Sequence, residues 1–156
     1  MSEAVEDDLT VLDDDRLLRR VHCKQLVYDG NRDRWRPSTA AFDDAYDGIS
    51  VFLRSEIDNL DLHEEDVLHG YPEHSLVVLT AGDARTRFPT PLGVRRDPNP
   101  PEAQGHPCAP AHALLLGLPS GKTGHKQYKK PLAETVAASF VVFRPPPSGD
   151  DVVGSS

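Results

Sequence analysis

Long hydrophobic runs are missing from this chain of 156 residues. No apolar stretch reaches the roughly 18 residues that a membrane-spanning helix requires. The N-terminus has no basic segment and no apolar segment after it, so a secretory leader is not expected. Cysteine is scarce: Cys23 and Cys108 are the only two. Two thiols and no leader predict a cytoplasmic protein with reduced cysteines rather than a disulfide scaffold. Aromatic residues make up 6% and apolar residues 38% of the chain, while 14 prolines and 11 glycines punctuate it. That balance predicts a modest core with long irregular connections. The length still suits one domain that folds without metal or disulfide support.

Basic excess is also lacking. The formal net charge is −8, from 25 acidic and 17 basic residues. Nine of the acids and one of the bases lie in residues 1–15 and 144–156, leaving 16 of each sign between them. A neutral middle has no general electrostatic footprint for nucleic acid. Both ends read as disordered tails, acidic at 1–15 and rich in Pro, Gly and Ser at 144–156, around a single domain at 16–143.

The patterned segments in that domain are short. "QLVYDGNRDRWR" reads as a hairpin over about 24–36, with Asp29-Gly30 supplying a turn of positive φ. Strands are expected at 49–57, 74–82, 111–118 and 139–143, short helical turns at 38–48, 61–71 and just after 82, and a helix from Pro131. Residues 90–110 read as a long Pro-rich connection. The fold class is α+β, with a mixed or antiparallel sheet of four to six short strands and two or three short helices.

Complete catalytic and cofactor motifs are absent, and no cofactor is implied. "GLPSGKT", 117–123, ends like a phosphate-binding loop. Its two glycines, however, have three residues between them where the motif has four, and no later strand ends in an acidic metal ligand. Lys122 and Lys126 belong to the most basic stretch and are candidates for binding an anion or an acidic partner. Arg32, Arg34 and Arg36 alternate, so on a strand they share one face and suit the same kind of partner. An internal alternative is that these arginines pair with the chain's own acidic tail.

Two other constellations concern chemistry. Arg20, His22 and His112 offer two imidazoles and a cation, the inventory of a ribonuclease-like acid–base site, if the strands carrying the histidines pair. Cys23 and Cys108, with His22, His106 and His112, offer a zinc inventory without the paired spacing of known structural sites. The bland reading of His112 is a buried ring satisfied by a backbone carbonyl.

In order along the chain, "RRVH", "RWRPSTAAF" and "AHALLLG" resemble a group of small bacterial proteins without established activity. The resemblance covers about residues 17–138. It implies a bacterial origin and a single domain, and it carries over no catalytic residue. The leading expectation is a small cytoplasmic binding or accessory protein that acts by protein–protein contact, for instance beside a larger enzyme. A metal-independent phosphodiesterase and a zinc-supported interaction module are the alternatives. The partner expected is a protein, not a membrane or a nucleic acid.

Overall fold

The segment "RLLRRVH" becomes an interior strand of the sheet. In the structure, a computed structural model, residues 6–42, 48–89, 91–98, 105–118, 128–137 and 139–146 are described. Among them the strands in chain order are β1 (Arg16–His22), β2 (Leu26–Asp29), β3 (Arg34–Pro37), β4 (Ile49–Leu53), β5 (His74–Thr80), β6 (Gly93–Arg96), β7 (His112–Leu116) and β8 (Phe140–Val142). Six of them form an antiparallel sheet in the order β6-β7-β4-β1-β5-β8, while β2 and β3 pair as a separate hairpin. The helices are α1 (Arg54–Asn59), α2 (Ala81–Thr86) and α3 (Lys130–Ala137). Single-turn 3-10 helices occupy Cys23–Gln25, Thr39–Phe42, Glu64–Leu68 and Ala109–Ala111. The α+β class read from the sequence is the class observed.

The central strands bury both faces. Successive side chains of a strand point to opposite sides. Leu17 and Val21 of β1 join Val51 and Leu53 of β4 and Val77 and Leu79 of β5 in a first core. Leu132, Ala133 and Val136 of α3, with Ala81 and Ala84 of α2, cover that core. Leu18, Phe52, Leu76 and Val78 point the other way, into a second core closed by Ile57 of α1, by Val67 and Leu68, and by Cys108 and Ala111. A strand buried on both faces reads as an unbroken apolar run, as "LVVL" in β5 does.

Helix α3 begins where the sequence places it, with Pro131 in its first turn. The positive φ of the hairpin turn falls on Asp33, at 52°, not on Gly30. The segment 49–57 is not one strand: it turns into α1 at Arg54. Within the Pro-rich connection the structure has an edge strand, β6, paired with β7 through Val94 and Leu115.

The largest departure from the sequence reading is at the N-terminus. Residues 6–15 are not a free tail. Val11 is fully buried, and Asp8 N–H donates to the Val94 carbonyl at 2.8 Å. Asp7 takes two hydrogen bonds from Arg85, at 2.9 and 3.0 Å, and Asp13 a third at 2.7 Å. Asp8 lies 3.2 Å from Arg96 and Glu6 3.4 Å from Arg95. The acidic stretch does fold back on arginines, but on these three and not on Arg32, Arg34 or Arg36. Asp15 is buried and accepts from Ser55 N–H at 3.0 Å and Ser55 Oγ–H at 2.6 Å, which ties the segment to the start of α1. Like charges that repel in isolation are here matched by cations distant in sequence.

Two outcomes follow from this packing. A Cβ on Gly48 would stand 2.9 Å from the Leu115 carbonyl oxygen and 2.8 Å from Leu116 Cδ2. Gly48→Ala is therefore expected to lower the unfolding free energy by about 1–3 kcal/mol in denaturant titration. Arg85→Ala leaves Asp7 and Asp13 without their guanidinium. It is expected to cost about 1–2 kcal/mol and to open residues 6–15 to limited proteolysis, the difference from wild type narrowing at high salt.

Candidate functional site

Phe52 lies at the centre of the polar features on the second face. The Arg20 guanidinium stands 5.0 Å from its ring centre and 3.8 Å from that of Tyr71, and donates to the Val67 carbonyl at 3.1 Å. Burial draws the Arg20 pKa below the usual arginine value. His112 meets the same Phe52 ring edge-on at 5.4 Å, and His106 lies 6.1 Å from it. Around Tyr71 gather His74 at 5.1 Å and His106 at 6.0 Å, and His22 meets His74 edge-on at 4.9 Å.

The sheet register decides which of the expected groups meet. Phe52 of β4 faces Leu18 on one side and His112 on the other. His112 is thus level with Leu18, two strands from β1, while His22 stands four residues further along β1. That separation is roughly 16 Å from strand geometry. Arg20 and His112 flank one ring, but the set Arg20, His22 and His112 does not close around one point. The imidazole beside His22 belongs to His74, directly opposite it in the β1–β5 register.

Each histidine has its own local role. His22 Nδ1 accepts from Lys24 N–H at 3.0 Å, and its Nε2 lies 3.5 Å from Glu73. His106 Nδ1 accepts from Cys108 N–H at 3.0 Å, which leaves Nε2–H to donate to the His69 carbonyl at 3.0 Å. His112 is the most enclosed, with its side chain wholly buried. Its Nδ1 lies 3.1 Å from the Asp97 carbonyl oxygen and 3.3 Å from Asp97 Oδ2, and its Nε2 is hydrogen-bonded to Ser50 Oγ. The carbonyl partner is the one the bland reading foresaw; Ser50 and the Asp97 carboxylate were not legible.

Cys23 and Cys108 are buried free thiols. Burial pushes the Cys108 thiol up to about 11, so it is not a thiolate at neutral pH. Among the described residues no three His, Cys, Asp or Glu side chains form a group fit to hold a metal ion.

The expected arginine row is broken. Arg32 falls in the turn before β3, where it donates to Asp29 Oδ2 at 2.9 Å and lies 3.7 Å from Glu134 of α3. Arg36 reaches the same Asp29 oxygen at 3.5 Å. The Arg32 hydrogen bond, foremost, holds the Asp29 carboxyl below the usual carboxylate range. Arg34 is on the strand, and its Nε is buried without a hydrogen-bond partner. Lys122 and Lys126 lie outside the described residues.

The aromatic side chains of the hairpin make a surface that the arginine pattern hid. Tyr28 and Trp35 face each other across β2 and β3 with ring centres 5.7 Å apart. Trp35 lies 6.3 Å from Phe143, which packs on Phe140 at 5.0 Å. Tyr28 is 51% and Phe143 42% exposed, unusually open for large rings held together. Elsewhere, a cavity of about 370 Å³ is lined by Arg16, Arg54 and Arg96, but carboxylates hold all three: Glu64, Asp58 and Glu56.

Comparison of the chain with family models, with curated proteins and with solved structures finds no match. Among the described residues, no helix is long and apolar enough to cross a membrane.

His74 gives the second face a defined response to acid. Its Nδ1 is buried without a hydrogen-bond partner. Burial, then the nearby His22, Arg20 and Arg144, bring its pKa from 6.5 to about 4, against the opposing pull of Glu73. The unfolded chain takes up a proton on this ring below pH 6.5, the folded chain only near 4. The stability that rests on a neutral His74 is therefore whole above pH 6.5 and is lost as pH falls towards 4. Denaturation midpoints are expected to drop over that interval, and His74→Phe is expected to flatten the slope.

Proposed function

We propose that this protein is a small binding or accessory protein that acts by protein–protein contact in a bacterial cytoplasm. Its contact face is the aromatic surface of the hairpin and the last strand. The observation that carries this reading is the connected run of Tyr28, Trp35 and Phe143. Among the described residues four large hydrophobic side chains are exposed, and two of them, Tyr28 and Phe143, belong to this one run. Exposed rings that touch each other are a recurrent feature of sites where partners bind, and Trp, Tyr and Arg dominate the energetics of such sites.

The chemistry favours a partner with apolar side chains. The rings supply the apolar area. Arg32 and Arg36 add little to attraction, since Asp29 already occupies them. A subunit of a larger enzyme would present such a surface at its periphery.

The test compares capture by the wild-type chain and by Tyr28→Ser/Phe143→Ser from lysate of a bacterium that encodes the protein, with equal folded amounts confirmed by circular dichroism. The expected result is a protein retained near one-to-one by the wild type and by a His22→Ala control, and reduced at least about tenfold by the double variant. Retention by wild type no better than by the double variant would overturn the proposal.

A further inference from the structure

The polar chain Ser50, His112, Asp97 has an order of atoms that the contact function does not use. Asp97 closes a mutual brace with His112: its N–H donates to the His112 carbonyl at 2.9 Å, and its own carbonyl lies 3.1 Å from His112 Nδ1. A carbonyl only accepts, so Nδ1 carries the proton. Nε2 is then the lone-pair nitrogen, and its contact with Ser50 Oγ is one in which the hydroxyl donates. Asp97 Oδ2, 3.3 Å from Nδ1, supplies a carboxylate on the far side of the ring. From this geometry we infer that Ser50 is a nucleophile, His112 its general base and Asp97 the residue that positions the base, in an acyl-transfer site.

Placement in the fold sets the substrate class. Ser50 is partly exposed, His112 is sealed beneath it, and the Asp97 side chain is 40% exposed. On the same strand face Ser50 is flanked by Phe52, and across the β4–β7 pair by Leu114, both buried. Those neighbours are apolar and already covered, which limits the acyl group to a small one. Ser50 stands mid-strand in the interior of the sheet rather than on a strand-to-helix turn, so it does not present the adjacent main-chain N–H donors that stabilise an oxyanion. Each such donor is worth about 10²–10³ in rate. The site is therefore one for small carboxylic esters with good leaving groups, not for peptides.

The step balances without a co-reactant other than water. Ser50 Oγ bonds to the acyl carbon while Nε2 takes its proton. The carbon–oxygen bond to the leaving alcohol breaks, and Nε2–H protonates the departing oxygen. Water, deprotonated by the same nitrogen, then cleaves the acyl-serine and restores Ser50.

The test treats the full-length chain with a fluorophosphonate probe and locates adducts by peptide mass mapping, with hydrolysis of p-nitrophenyl acetate and of a peptide p-nitroanilide measured alongside. The expected result is one phosphonyl group per chain on Ser50, ester turnover, and no anilide turnover. Ser50→Ala is expected to abolish both labelling and turnover. Ser50→Cys retains a hydrogen-bonding side chain should the alanine variant not fold, and is expected to lose the phosphonate adduct. Asp97→Asn is expected to lower kcat at least about tenfold with KM little changed. Labelling of the native chain no faster than of the heat-denatured chain, or an adduct on another residue, would overturn the assignment. An unchanged kcat in Asp97→Asn would remove Asp97 from it.

Discussion

Strand β1 carries two successive arginines into the interior, one on each face of a sheet that is covered on both sides. Arg19 turns into the first core, where its guanidinium donates to the Ala41 carbonyl at 2.9 Å and to the Ser50 carbonyl at 2.7 Å, against the Phe42 ring. Arg20 turns into the second, onto Phe52, Tyr71 and the Val67 carbonyl. A guanidinium keeps its charge even when burial opposes it, so each needs acceptors and ring faces fixed in advance. That demand holds Thr39–Phe42 to the front of the sheet, and Glu64–Leu68 with Tyr71 to the back. The register of β1 is thereby fixed, since a slip of one residue would exchange the two environments.

This double coverage explains what could be read from sequence and what could not. The hairpin, β5, β7 and the helix from Pro131 declare themselves locally, through a turn, an apolar run or a proline at a first turn. Strand β6 does not: "GVRR" is four residues long, begins with glycine and lies within proline-rich sequence, and only pairing with β7 makes it a strand. Arg54 and Ser55 continue a β-rich pattern, yet the chain turns helical because Asp15 accepts from Ser55 N–H and Oγ–H. The acids of 6–15 look like a solvated run until Arg85, Arg95 and Arg96 are brought to them. In each case the deciding partner lies 17 to 89 residues away in the chain.

The candidate residues show the same division. His112 was visible as a histidine at the head of an apolar strand, but Ser50 and Asp97 carry no local motif and come to it only through the β4–β7 pair and the end of β6. His22 was legible, whereas its neighbour His74 depends on the β1–β5 register. Alternation drew attention to Arg32, Arg34 and Arg36, while the rings between and beyond them, Tyr28, Trp35 and Phe143, form the more open surface. The contact surface and the Ser50–His112 pair belong to different parts of the fold, the hairpin with the outer strand β8 and the pairing of β4 with β7.

The two sulfhydryls mark two different junctions. Cys108 is wholly enclosed in the second core, and Cys23 stands where β1 passes into the hairpin, its N–H bonded to the Glu73 carbonyl at 2.9 Å. Neither meets solvent without a local excursion of the backbone that covers it. The rate at which an alkylating reagent captures each one is therefore a clock for breathing at that place, and the ratio of the two rates says which layer of the molecule parts first.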